Sequence, residues 1–275
     1  MKSKKNLGMV GVNALAWLLS LLLLAPLVLI LFNSVKTSQA ASDMSLQLPL
    51  DGLHFENYLV VIEKGKLGIT FLNSLLYSCG SVILCMILSA MTAYVLSRNR
   101  SRLHRFLYMF IVLGITMPIN FVALMKVMQL TQLQNTRIGM ILLYSAIQLP
   151  FNVFLIYSFV SKIPKDIDEA AVIDGCQPVR LFFSVMFPLL KPVLVTVMVL
   201  TFLNTWNEFV LPLYFLGSST FWPMNLAVYN FFGMYATNWN LVCADIVLTC
   251  LPVVLVYLLG QKYIVAGMTA GAVKG

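Results

Sequence analysis

Six apolar runs, each about twenty residues or a little longer, set the terms for this chain: 12–32, 69–96, 106–129, 138–160, 192–215 and 241–261. A helix of about 20 apolar residues crosses the ~30 Å hydrocarbon core of a bilayer. It also satisfies its backbone N–H and C=O groups internally, which lipid cannot do for it. The runs are too long and too uniformly apolar to be the alternating strands of a barrel. An all-α integral membrane protein with six transmembrane helices is expected, the second run being long enough to tilt or protrude. Composition agrees, since 60% of the 275 residues are hydrophobic and only 10% charged. Such a chain cannot cover itself with polar surface.

The basic residues orient the spans. Lys2, Lys4 and Lys5 precede the first run. Arg98, Arg100, Arg102 and Arg105 lie between the second and third, and Lys162, Lys165, Arg180 and Lys191 between the fourth and fifth. Lys262 and Lys274 follow the sixth. The alternate segments hold only Lys36, Lys64, Lys66 and Arg137. Thirteen bases therefore stand against four, and the richer side is expected to be cytoplasmic, both termini included. Lys126 remains inside the third run, near its outer end, where it can snorkel to the interface. The start of the chain has one rival reading, a cleavable signal ending near Ser38-Gln39-Ala40. The apolar run is long for that, and the later topology is the same either way.

Several function classes are excluded. The net charge of +8 is set in short stretches beside apolar runs, not in a basic patch interleaved with aromatics, so no nucleic-acid partner is expected. Cys79, Cys85, Cys176, Cys243 and Cys250 form no CxxC and no Cys–His cluster. His54 and His104 are both expected in loops, outside the six apolar runs, so the spans lack the His-based pairs of an intramembrane enzyme. No Gly-x4-Gly-Lys-Ser/Thr loop occurs. Energy for any transport must come from a partner or from an ion gradient.

Segment 161–191 is the informative one. Pro164 suits a first helical turn. Asp166, Asp168 and Glu169 follow, where the helix dipole favours acids. Ala170, Ala171, Val172 and Ile173 continue the helix, and after Asp174, Gly175 is placed to end it in the left-handed conformation. Ile167, Ala170 and Ala171 share one face by spacing, and their small side chains would let another surface approach closely. Gln177-Pro178 restarts the chain, and Leu181 to Phe187 read as a second short helix before Pro188.

Glu169-Ala170-Ala171, three residues, Gly175, nine residues and Val185-Met186-Phe187-Pro188 together resemble the EAA loop of ABC importer permeases, with Val and Phe in place of the usual Ile and Leu. The resemblance extends over nearly the whole chain. Phe55-Glu56-Asn57-Tyr58, Asn73-Ser74-Leu75, Leu149-Pro150-Phe151 and Trp206-Asn207-Glu208-Phe209 are similar to stretches of the carbohydrate-uptake permeases. The tail Gly267 to Gly275 is similar to that of second permease subunits of the maltose-importer type. What the resemblance implies is a type I ABC importer permease fold with a MetI-like core. It implies one permease domain over 1–275, with a core at 70–261, the cytoplasmic loop 161–191 and a cytoplasmic tail at 262–275. It implies a plasma-membrane subunit that binds no cofactor itself, while ATP and Mg are used by a separate ATPase. The implied partners are a second, related permease chain, two ATPase subunits and an extracytoplasmic solute-binding protein. Asp168, Glu169, Ala170, Ala171, Asp174, Gly175 and Pro188 are then expected to couple to the ATPase, Glu169 by pairing with a basic residue there. Thr269, Gly271 and Lys274 are expected to reach the ATPase, although a Gly/Thr/Ala tail also reads as simply unstructured.

Polar residues inside spans mark a solute path or helix–helix contact. Thr201, Asn204, Thr205 and Glu208 share a helical face of the fifth span; Tyr144, Gln148 and Asn152 share one of the fourth; Asn120 follows Pro118. These suit a hydroxyl-rich solute and interhelical bonding equally well. Glu208 and Asp245 lie toward the outer side, either lining a wet cavity or fixing the bundle. Ser74, Ser78 and Ser81 read as close-packing positions. The uncharged segment 216–240, with Phe221-Trp222-Pro223 and Tyr235 to Trp239, reads as an aromatic belt, while the resemblance implies that it docks the binding protein, which its aromatic and amide side chains also fit. An ion-driven secondary transporter is the alternative function; it calls for broken central helices, repeat symmetry and buried charge pairs near mid-membrane.

Overall fold

The computed structural model describes residues 2–50, 52–99, 101–232 and 237–272, with side chains placed for 12–13, 15–50, 52–99, 101–232 and 237–261. The helices are α1 (Lys2–Ser34), α2 (Ser38–Ala41), α3 (Glu56–Lys64), α4 (Leu67–Arg98), α5 (Arg102–Leu113), α6 (Phe121–Leu130) and α7 (Arg137–Val160). They continue as α8 (Asp166–Ile173), α9 (Pro178–Arg180), a π-helical turn Leu181–Met186, α10 (Phe187–Leu189), α11 (Lys191–Asn207), α12 (Val210–Phe215), α13 (Met224–Ala227) and α14 (Trp239–Ala272). Among the described residues the one β-type pairing is an isolated bridge between Phe232 and Thr237.

Four helical stretches are long and apolar enough to cross a bilayer: Leu15–Ser34, Leu67–Arg98, Arg137–Val160 and Trp239–Gln261. The other two expected spans are interrupted, so six unbroken spans are not what the chain forms. The third run divides into α5 and α6, of 12 and 10 residues, each too short to cross alone. Pro118 lacks an N–H and disfavours helix at Met117, and Asn120 restarts the chain as an N-cap, its Oδ1 accepting from the Ala123 N–H at 3.0 Å. The fifth run breaks between α11 and α12. Pro212 cannot donate to the Glu208 carbonyl, and Glu208 is extended (φ −71°, ψ 126°). Preceding that run, Pro178–Leu189 meets Lys191–Asn207 at an angle of 79°.

The chain forms two compact units. The first joins Met1–Gly68 and Ala227–Leu251. Asn57 is its buried hub: Nδ2 donates to the Ser34 and Lys36 carbonyls at 2.9 Å each, and Oδ1 accepts from Asn240 Nδ2 at 2.9 Å. Lys36, 5% exposed, donates to the Ser45 carbonyl at 2.8 Å. His54 Nδ1 lies 2.6 Å from Glu56 Oε1, and this bond holds the Glu56 carboxyl below its ordinary range. The apolar window of α1 buries nothing inside the chain.

The second unit joins Ile69–Leu226 and Pro252–Gly275. Its centre is the contact of α4 with α7. Ser74, Ser78, Ser81, Cys85, Ser89, Ala90 and Ala93 are all buried, a small-residue stripe at helical spacing. Ser81 Oγ donates to the Ile141 carbonyl at 3.3 Å, and a Cβ on Gly80 would stand 2.9 Å from Ile141 Cδ1. One apolar core surrounds Tyr77, Met140, Tyr144 and Phe215; another surrounds Ala93, Ile156, Phe182, Met186 and Leu190. The second core roots the 161–191 loop.

Candidate functional site

Helix α8 is built as its sequence dictates. Asp166, Asp168 and Glu169 occupy the first turn, where exposed N–H groups favour negative charge. The helix begins one residue after Lys165, so Pro164 precedes it and does not form its first turn. Gly175 closes it with φ +81°. The Cys176 N–H donates to the Ala171 carbonyl at 2.9 Å and the Gly175 N–H to the Val172 carbonyl at 3.0 Å, the paired bonds of a Schellman stop. A Cβ on Gly175 would meet nothing within 4 Å, so the constraint there is purely one of backbone conformation.

The helix splits into two faces. Ile167 is half-buried and Ala171 buried in the apolar core, whereas Ala170 is exposed, so the expected small-residue face does not hold together. Glu169, Ala170, Val172, Ile173, Asp174 and Gly175 form the outer surface, Ile173 being 85% exposed. Asp168 turns inward. Its Oδ1 accepts from Tyr94 Oη at 2.7 Å, and its Oδ2 lies 2.8 Å from Arg98 Nη2. The second contact falls outside hydrogen-bond geometry and acts as an ion pair. Arg98 Nη1 also donates to the Ile163 carbonyl at 3.0 Å, and Lys165 Nζ to the Arg98 carbonyl at 3.3 Å. Thus α8 is latched to the end of α4. Sequence reasoning counted Arg98 only as a base and passed over Tyr94; Asp168 lies 74 positions from Tyr94, so no local spacing signals the contact.

Beyond Gly175 the second short helix starts earlier than expected, at Pro178, and does not stop at Pro188. The π turn Leu181–Met186 widens the backbone just before Pro188, whose ring would otherwise meet the Ser184 carbonyl. Tyr94 packs on Phe182 with ring centroids 5.6 Å apart, and Phe182 on Phe187 at 5.9 Å. These aromatics join the loop to α4.

The polar candidates of the spans are distributed differently from a single lined path. Asn152 Nδ2 donates to Thr201 Oγ1 at 3.0 Å and Gln148 Nε2 to Thr205 Oγ1 at 2.8 Å, a seam joining α7 to α11. Asn152, Thr201 and Thr205 are buried in it, and Tyr144 is buried in the core with Tyr77 and Phe215. Asn204 is exposed, away from that seam. Glu208 lies at the break after α11, where its Oε1 accepts from the Val210 and Leu211 N–H groups at 2.8 and 3.0 Å and so caps α12. Asn120 caps α6. Asp245, in the first unit, is 1% exposed, and its Oδ1 has no hydrogen-bond partner among the described residues.

The motif flanks have structural work too. Asn73 Nδ2 donates to the Thr220 and Trp222 carbonyls at 2.9 and 3.0 Å, Ser74 Oγ accepts from the Met224 N–H at 2.8 Å, and Tyr77 Oη donates to the Phe221 carbonyl at 2.7 Å. Arg137 stacks over the Phe221 ring at 5.1 Å. Trp206 is buried, stacked on Phe202 at 5.5 Å. Thr269 and Gly271 fall in the last turns of α14, which runs on past the expected start of the tail at 262. Their side chains, and Lys274 and Tyr235 altogether, lie outside the described residues.

Residues 85–270 match the family described as binding-protein-dependent transport system inner membrane component. The diacetylchitobiose uptake system permease protein NgcG of Streptomyces coelicolor is 35% identical over 95% of this chain and 88% of its own. The melibiose/raffinose/stachyose import permease protein MelC of Bacillus subtilis is 30% identical over the whole of both chains. Among solved structures, a bacterial ABC transporter involved in the import of the acidic polysaccharide alginate contains a chain that superposes with a TM-score of 0.83. It is 23% identical, over 96% of this chain and 98% of that one.

Proposed function

The chain belongs to the binding-protein-dependent transport system inner membrane component family, and on that premise we propose that it forms half of the solute path of an ABC importer for oligosaccharides. It is a membrane permease subunit, and its ATP is hydrolysed elsewhere, by two ATPase subunits that bind the nucleotide and Mg. A second, related permease completes the path, and an extracytoplasmic binding protein delivers the solute. The carbohydrate reading is supported by relatives named for diacetylchitobiose and for melibiose, raffinose and stachyose, aligned along nearly all of this chain. Both termini and the 161–191 loop face the cytoplasm, on the strength of the charge bias among the connecting segments. The chain acts as one permease domain whose transport core is 70–261.

The observation that carries the mechanism is the latch of Asp168 onto Arg98 and Tyr94. Helix α8 is the handle. Its outer face, with Glu169, Ala170, Ile173 and Asp174, meets the ATPase, and Glu169 pairs with a base there. Its inner face is tied to α4 and to the core around Phe182 and Met186, so closure of the ATPase pair moves spans rather than a slack loop. Pro188 holds the bend into α11. The tail, with Thr269, Gly271 and Lys274, makes a second ATPase contact. Asn204 and Glu208, outside the α7–α11 seam, face the solute, whereas Asn120, Tyr144, Gln148, Asn152 and Thr201 shape the helices that flank it.

The test is uptake by proteoliposomes holding the full complex. With solute-loaded binding protein outside and ATP inside, labelled oligosaccharide accumulates. Replacing Glu169 by Lys abolishes accumulation while the permease pair still assembles. Accumulation that proceeds without ATPase subunits on an ion gradient would replace this reading with secondary transport.

A further inference from the structure

A cavity of about 550 Å³ opens where α4 ends, beside α5 and the connector from α7 to α8. Arg98, Arg105, Lys162 and Lys165 line it, together with Asn99 and Tyr157. No acidic side chain lines it among the described residues. Asp168 is turned onto Arg98 and Tyr94 and is not part of the wall. Arg105, Lys162 and Lys165 are exposed at the opening, and the ring of Tyr157 is held by stacking on Tyr108 at 3.9 Å. Arg98 has Asp168 as its counter-ion, but Arg105, Lys162 and Lys165 are like charges around one cavity, and an anion among them lowers their mutual repulsion.

The surroundings select the kind of anion. The cavity lies at the ends of α4 and α7, both long and apolar enough to cross a bilayer. From its rim rises α5, which has no buried residue. Leu103, Phe106, Met109 and Phe110 of α5 are 57–65% exposed. A soluble phosphate compound gains nothing from that surface, whereas acyl chains cover it. Basic pockets at the ends of membrane helices suit phosphate headgroups. We propose that this cavity seats the headgroup of an anionic phospholipid, with its acyl chains lying along α5. Lys165 immediately precedes α8 and donates to the Arg98 carbonyl, so the seated headgroup also steadies the base of that helix. The inference rests on the membrane reading of α4 and α7 and on neither the solute nor the ATPase assignment.

The experiment is native mass spectrometry of the complete transporter released from nanodiscs containing phosphatidylglycerol and phosphatidylcholine. Wild type retains phosphatidylglycerol in preference to phosphatidylcholine. Arg105→Gln combined with Lys162→Gln, both at exposed positions, lowers the retained phosphatidylglycerol about twenty-fivefold, from about fivefold per base removed. The charge-preserving pair Arg105→Lys and Lys162→Arg keeps it. Millimolar inorganic phosphate leaves the lipid in place. Equal retention by wild type and the Gln pair overturns the proposal. So does loss of the lipid to inorganic phosphate alone, which would assign the cavity to a soluble anion. Lipid retention is read without transport, so its failure is distinguishable from failure of the importer reading.

Discussion

Arg98, the last residue of α4, sets its guanidinium Nη2 2.8 Å from Asp168 Oδ2 in the first turn of α8, with the two side chains only 12% and 15% exposed. The pair bridges 70 positions of sequence, and Tyr94 reinforces it from one turn earlier in α4. A short helix transmits force only if its root is fixed. Without this pair, the acid end of α8 is held by the Tyr94 and Lys165 hydrogen bonds, and the rest of the helix by Ala171 and the core around Phe182.

Removing one partner should therefore uncouple more than it unfolds. Asp168→Asn keeps the acceptor for Tyr94 but loses the charge, leaving Arg98 largely buried without its counter-ion. The expected loss of stability is about 1–3 kcal/mol, below the figure for fully buried pairs because both side chains keep some contact with solvent. Uptake should fall about tenfold or more while binding-protein-stimulated ATP hydrolysis persists. A double-mutant cycle with Arg98→Gln, read by thermal unfolding in detergent, should return a coupling energy of about 1 kcal/mol or more.

At Gly175 the effect separates backbone from packing. No neighbour would meet a Cβ there, but φ is +81°. Gly175→Val forces a β-branched residue into the left-handed region, unwinds the stop and should abolish uptake with membrane insertion intact. Gly175→Asn, which enters that region more readily, should retain most of the activity. Equal loss in both variants, measured as initial uptake rate, would point to a steric role instead.

This loop was the most legible part of the chain because its signals are local. Acids in a first turn, a Gly stop and fixed spacing need no tertiary knowledge. The breaks in the third and fifth runs were less legible. Ile115, Met117 and Ile119 keep hydropathy high across Gly114–Asn120, although Pro118 and Asn120 already spell a stop and a cap. Expecting one polar face on the fifth span failed for a related reason. Thr201 and Thr205 are four apart and do share the seam, but Asn204 lies 100° of rotation from Thr205. Glu208 stands past the end of the helix, where helical spacing no longer applies. The inward turn of Asp168 depends on where α4 ends in space, which no local pattern encodes.

Glu208 should behave first as a cap. Glu208→Gln keeps an acceptor for the Val210 and Leu211 N–H groups and should leave the melting temperature of the complex near wild type. Glu208→Ala orphans both groups and should cost about 1–2 kcal/mol, by analogy with the loss of an N-cap. A melting temperature unchanged in the Ala variant would remove the capping role.

The Asn152–Thr201 contact predicts non-additivity. Thr201→Val alone leaves the buried Asn152 amide short of an acceptor and should destabilise by about 1–3 kcal/mol. Asn152→Leu together with Thr201→Val removes both polar partners and should restore much of that loss, with uptake preserved. Additive losses, measured by thermal unfolding, would show that the two side chains do not depend on each other.

The central claim is that α8 carries force from ATP hydrolysis into the spans. It is tested most directly by uptake into proteoliposomes that hold the full complex with an ionophore present, comparing wild type with Asp168→Asn and with ATP supplied or withheld. The account predicts ATP-dependent accumulation by wild type that survives the ionophore, and a variant that hydrolyses ATP yet accumulates little. Accumulation that disappears with the ion gradient, or a variant whose uptake per ATP equals wild type, would contradict it.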